Sequence, residues 1–295
     1  MHANSWWGNP VRYLYSNENN NSRVGQAFFF VFHMSTLSDA FLHSLVSQLD
    51  NENTIGVVLT GSFAREEGGP FSDVDIRCYV RQVPVSEAEV YTMRYQDGYL
   101  VSIYLTTLDN EYTSLRSPQK AIWAVPGLRQ SRILSDKDGS MAALKESAEE
   151  FTWESLQTAA DAYASWNLCG FTEEVYKILG GLAQQDESKT VNATHGLTHG
   201  LANTLLVQRG VLIQTENAYM DLIQDSVGRG SEWTRQFRLA VGLDPLPREQ
   251  PPSLAYGTAG LRLFRETARL LAPILLPDDA AVINRVVDMI AKAGY

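Results

Sequence analysis

Cysteine is scarce in this chain, and long apolar runs are missing. Of 295 residues only Cys78 and Cys169 are cysteines. Neither belongs to a C-x-x-C pair or a Cys/His spacing, which excludes a disulfide framework and a zinc cluster of the usual patterns. The longest apolar run near the start is Phe28–Phe32. It falls far short of the roughly 20 residues a membrane helix needs and lacks the flanks of a signal peptide, so elimination leaves a cytoplasmic protein as the expectation. Basic residues are also few: 24 Lys and Arg face 34 Asp and Glu, for a formal net charge of −10. That charge repels phosphate backbones and argues against a sequence-independent nucleic-acid binder, while it suits a cationic small molecule. No G-x-x-x-x-G-K-[ST] loop or kinase-type glycine loop occurs, so a P-loop enzyme is not supported, and no repeat of solenoid length is present. With 44% hydrophobic and 20% charged residues, collagen, coiled-coil and wholly disordered readings fall away. The length suits two domains better than one.

The organisation follows from the periods. Residues 1–33 hold Trp6-Trp7, an Asn-rich run and the Phe cluster, with no sustained helix or strand period. They are expected to be a disordered leader or a start-site artefact ahead of Met34. From Ser38, which suits an N-cap, Phe41, Leu42, Leu45, Val46 and Leu49 recur at helical spacing. Residues 55–60 (IGVVLT) read as a short buried strand, and a second strand starts near Asp73. Residues 90–95 and 99–107 read as a hairpin about the Asp97-Gly98 turn signal. The segment 108–128, which holds Asp109-Asn110-Glu111, Pro118 and Pro126-Gly127, reads as helix and loop at the substrate side, and 129–139 as strand then turn. From Ser140 helical periods take over, near 141–150, 152–168, 171–184, 189–208, 215–226, 231–242, 253–272 and 278–293. Trp153, Trp166 and Trp233 are read as core. The expected architecture is an α/β domain with a mixed sheet over 34–139 and an all-helical domain over 140–295.

The stretch from Thr60 to Val80, TGSFAREEGGPFSDVDIRCYV, carries the chemistry. Asp73 and Asp75 lie two apart on an extended segment and so point to one face, while Val74 and Ile76 point to the other. Two carboxylates on one face form a hard-oxygen clamp suited to an octahedral Mg²⁺ that also holds phosphate oxygens. Gly61 lets backbone approach a phosphate with no Cβ in the way. Ser62 opens a helical piece, where free N–H groups favour an anion.

Gly61-Ser62, ten intervening residues and then Asp73-Val74-Asp75 resemble the signature of the DNA-polymerase-β-like nucleotidyltransferase superfamily. Ser62-Phe63-Ala64-Arg65 and Ser72 are similar to its bacterial antibiotic-modifying and minimal nucleotidyltransferase branch, whose antibiotic-resistance enzymes act on aminoglycosides and lincosamides. The resemblance implies Mg²⁺-dependent transfer of a nucleoside monophosphate from a nucleoside triphosphate, ATP foremost, to a hydroxyl of a small acceptor held between the two domains. It implies catalysis and metal binding by Asp73 and Asp75, in a two-metal-assisted in-line attack. Nucleotide binding falls to Gly61, Ser62 and Ser72. Arg65 would support the phosphate loop or neutralise charge there. The family adds a third carboxylate on a neighbouring strand, as a general base. In the strand 99–107 its expected place is taken by Ser102, which is no base near neutral pH. The base then comes from elsewhere, from Asp97, Asp109, Glu111 or the helical domain; or the enzyme is slow by about 10²–10⁴-fold; or the protein is a nucleotide-binding regulator without turnover. His195 and His199 share a helix face and are read as structural or cleft-lining. Lys177 is read as a solvated helix lysine, with reach to the triphosphate as the sharper alternative.

Overall fold

A computed structural model describes residues 36–295; the leader expected over 1–33 lies outside them. The Ser38 side chain accepts a hydrogen bond from the Phe41 N–H and starts α1 (Asp39–Leu49). That helix buries Phe41, Leu42 and Leu45. There follow β1 (Thr54–Thr60), α2 (Gly61–Ala64), β2 (Val74–Val80), α3 (Glu87–Val90), β3 (Tyr91–Gln96), β4 (Tyr99–Thr106), α4 (Leu108–Leu115), α5 (Pro118–Gln130), β5 (Arg132–Asp136) and α6 (Ser140–Glu149). The five strands form one mixed sheet in the order β3-β4-β2-β1-β5. Only β2 and β4 pair in parallel. Asp97 and Gly98 both take positive φ, 50° and 86°, which is what the two-residue hairpin between β3 and β4 requires.

Alternation along β2 decides which side chains are buried and which do chemistry. Val74, Ile76, Cys78 and Val80 pack with Phe41, Leu42 and Leu45 of α1. Asp75, Arg77 and Tyr79 stand on the other face. There Tyr79 joins Leu115 of α4, Val125 of α5 and Met141 and Leu144 of α6 in a second core. Arg77 on this face donates to the Glu111 carboxylate of α4 at 3.0 Å. Glu111 is only 5% exposed, so its charge is tolerated through this pair. Glu111→Ala would leave the guanidinium half-buried without a counter-charge. The expected loss is about 3 kcal/mol of stability, read from urea unfolding midpoints, and Glu111→Gln, which keeps an acceptor, should lose clearly less.

The helical half comprises α7 (Gln157–Gly170), α8 (Thr172–Gln184), α9 (Glu187–Gln208), α10 (Tyr219–Val227), α11 (Glu232–Ala240), α12 (Pro252–Leu271) and α13 (Pro277–Lys292). α9 packs against α7, α8, α10, α11 and α12. Its buried Thr190, Thr194 and Thr198 return their hydroxyl protons to the carbonyls four residues back, so no buried donor is left over. Gly257 and Gly260 of α12 let the two helices close up: a Cβ on either would come within 2.8 Å of Thr190 or 3.0 Å of Thr194. Trp233 is fully buried and donates its indole N–H to Thr267 at 2.8 Å. Trp166 corrects the sequence expectation. It is 67% exposed, because α7 turns Ala160, Ala164, Ser165 and Leu168 inward and leaves Trp166 on its outer side.

Pro126 sits inside α5. A helix proline removes the N–H that would bond the carbonyl four residues back. Here that carbonyl, of Ile122, accepts the Ile213 N–H at 2.7 Å instead. The freed acceptor is satisfied by the helical half, so the helix continues.

Candidate active site around Gly61 and Asp75

β1 leaves the sheet core at Thr60, which pairs with Asp75 across the strands. Gly61 follows with φ +68°, in the left-handed region. A Cβ built on Gly61 would lie 2.0 Å from the Asp75 Oδ2, so both the turn and the carboxylate demand glycine here. Ser62 is the second residue of α2, a helix of one turn, whose dipole is correspondingly small. Phe63 buries its ring beside Tyr99, edge to face. The connecting loop closes on itself: the Ser72 Oγ accepts the Gly69 N–H at 3.0 Å and keeps its own proton to donate. Asp73 immediately precedes β2, which begins at Val74.

Asp75 is the electrostatic centre. Burial raises its carboxyl pKa above the ordinary value, the Asp73 charge adds to the rise, and a hydrogen bond from Ser102 together with Arg65 and Arg77 opposes it. Ser102 lies directly across the parallel β2–β4 pair from Asp75. Its hydroxyl donates to the Asp75 Oδ1 at 2.7 Å. One Asp75 oxygen is thus held by Ser102 and the other lies against the glycine bend. A divalent cation fits this donor set. The Asp73 charge acts on the partly buried Asp75 carboxylate, and Mg²⁺ commonly takes one or two protein carboxylates and completes its shell with phosphate and water. Among the described residues no cluster of three or more His, Cys, Asp or Glu could hold a metal, in keeping with serine at position 102.

Arg65 caps α2, is 16% exposed and donates to Glu67 at 2.7 Å. Its charge acts on Asp75. The alternative bases are placed differently. Glu111 is occupied by Arg77. Asp97 sits in the hairpin turn, and Asp109 in the first turn of α4, beyond the far end of β4 from Ser102. Lys177 is paired with Glu173 and Glu174 of its own helix. His195 and His199 meet edge to face with ring centroids 4.9 Å apart. They line a hollow of about 280 Å³ with Met220 and Tyr256, to which no residue of the Gly61–Asp75 turn contributes. Sequence reasoning missed the Ser102–Asp75 bond. Its only signal was the in-line position of Ser102, which shows only once β4 is laid parallel to β2.

Residues 42–125 match the nucleotidyltransferase domain family. The chain is similar to a solved nucleotidyltransferase-like protein from Exiguobacterium sibiricum 255-15, with 12% identity over 85% of this chain and 90% of that one and a TM-score of 0.48. No curated protein matches the chain. No helix among the described residues is long and apolar enough to cross a membrane.

Proposed function

We propose, from the premise that residues 42–125 are a nucleotidyltransferase domain of the DNA-polymerase-β-like superfamily, that the chain transfers a nucleoside monophosphate from a nucleoside triphosphate, ATP foremost, to a small hydroxylated acceptor. The observation that carries this reading is the Asp75 carboxylate, clamped between the Gly61 bend and the Ser102 hydroxyl with Asp73 beside it. Asp73 and Asp75 would hold Mg²⁺. When bound, the ion neutralises phosphate charge and polarises the α-phosphate as a Lewis acid. The Gly61-Ser62 backbone and the free Ser72 proton orient the β and γ phosphates. Arg65 exchanges Glu67 for a phosphate oxygen. The acceptor oxygen then attacks the α-phosphorus in line, and pyrophosphate leaves on the opposite side.

The likeness of Ser62–Arg65 and Ser72 to the antibiotic-modifying branch makes aminoglycosides and lincosamides the first acceptors to test. With labelled ATP and Mg²⁺, the expected result is acceptor-dependent pyrophosphate release. Tight nucleotide binding with no turnover on any acceptor would instead favour a second reading, a nucleotide-sensing regulator, which Ser102 in place of a carboxylate motivates.

A further inference from the structure

β3 is the edge of the sheet, and alternate residues along it share a face with the carboxylates. Met93 pairs with Ser102, and Ser102 pairs with Asp75. One row further, Tyr91 pairs with Tyr104, and Tyr104 with Arg77, whose guanidinium lies 5.8 Å from that ring's centre. Residues paired across neighbouring strands stand on one side of the sheet. Tyr91, Met93, Tyr95 and Tyr104 therefore form a shelf that begins one side chain away from Asp75. All four remain open, at 50, 51, 80 and 39% exposure. Edge strands usually carry charge or a cover; this face carries rings and a thioether. At roughly 150–250 Å² per aromatic side chain, the shelf offers about 400 Å². That is half the ~800 Å² per partner of a stable protein interface, and it matches one small ring system.

Among the described residues, the two side chains nearest the row from the shelf to Asp75 are already engaged: Ser102 gives its proton to Asp75, and Glu111 is held by Arg77. An acceptor that ionises by its own acidity needs no base from either. A phenol ionises near pH 10, nearly six units below water.

We propose, resting on the transfer reading above, that the acceptor is a planar aromatic molecule with a phenolic hydroxyl, laid on the Tyr91–Met93–Tyr95–Tyr104 shelf with its oxygen toward Asp75. Ring stacking on tyrosine and the sulfur of Met93 supply the contact. The phenol loses its proton to water. The phenolate oxygen forms the new bond to the α-phosphorus, the bridging bond from the α-phosphorus to the β-phosphate oxygen breaks, and pyrophosphate departs with that electron pair. The product is an aryl ester of the nucleoside monophosphate.

The test sets a series of substituted phenols of graded acidity beside the aminoglycoside and lincosamide panel, with labelled ATP and Mg²⁺. Phenols should be converted, and the pH at which kcat/KM levels off should move with the acidity of the phenol used. Met93→Thr, on the exposed edge, should raise the KM for phenol about tenfold or more and leave the KM for ATP unchanged. Turnover of sugar hydroxyls with phenols refused would overturn the inference and leave the transfer reading standing. So would a pH break that stays fixed across the series, or a Met93→Thr enzyme with unaltered phenol KM. Absence of pyrophosphate release with every acceptor class would sink the transfer reading and this inference together.

Discussion

Asp75→Asn is expected to abolish nucleotide transfer and, in the absence of metal, to make the protein more stable. The activity side follows from charge. One of the two carboxylates proposed to hold the cation is lost, and a deficit of about 4 kcal/mol in transition-state stabilisation corresponds to roughly 10³-fold in rate. The stability side follows from linkage. Burial and the neighbouring Asp73 hold the Asp75 carboxyl above its ordinary value of 3.8 despite the Ser102 hydrogen bond. A group whose folded pKa is raised this way costs nothing below its unfolded pKa. The penalty grows as pH climbs toward the folded value, and it is fully present at neutral pH. Asparagine keeps an Oδ1 to accept the Ser102 proton and removes the desolvated charge. At pH 7 the variant's Tm should lie a few degrees above wild type, and the gap should narrow toward pH 4. Mg²⁺ with nucleotide should raise the wild-type Tm by mass action and leave the variant's unmoved. Transfer retained within tenfold would refute the assignment of Asp75, and a lower Tm at pH 7 would refute the electrostatic account.

Gly61→Ala should damage both fold and chemistry, through two independent costs. Alanine at φ +68° takes a left-handed conformation worth roughly 1–2 kcal/mol. Its methyl would also fall 2.0 Å from the Asp75 Oδ2, so the carboxylate has to swing out of its place. The expected result is a loss of about 2 kcal/mol in unfolding free energy, with transfer reduced on the order of 10²-fold because a displaced group next to the reacting phosphate is costly. Gly69→Ala is the matched control. Its nearest neighbour would be the Ser72 Oγ at 3.9 Å, and its φ is not positive. A Gly61→Ala enzyme as active as Gly69→Ala would show that the tight approach has no catalytic meaning.

What the sequence disclosed was what neighbours along the chain decide. The glycine bend, the spaced carboxylates, the Asp97-Gly98 turn and the long amphipathic helices are local patterns, and each stands where its period or turn chemistry put it. What it concealed depends on strands and helices far apart in the chain. The partner of Asp75 is Ser102 only because β4 runs parallel to β2 after the chain has passed through β3. The carbonyl that Pro126 vacates finds its donor in Ile213, far downstream. Trp166 reads as core by residue type, yet the small residues beside it take the inner side of α7. The one-turn α3 has too few residues to show a period.

α5 has a consequence for how the molecule moves. Ala121 and Val125 belong to the packing beneath the sheet, while Ile122, on the same helix, belongs to the core of the helical half. The carbonyl released by Pro126 adds a backbone stitch between the two. One rod is thus embedded in both bodies, and swinging one against the other would tear apolar side chains out of one of them. Among the described residues, relative motion of the two parts would therefore be charged to two cores at once, through a single helix.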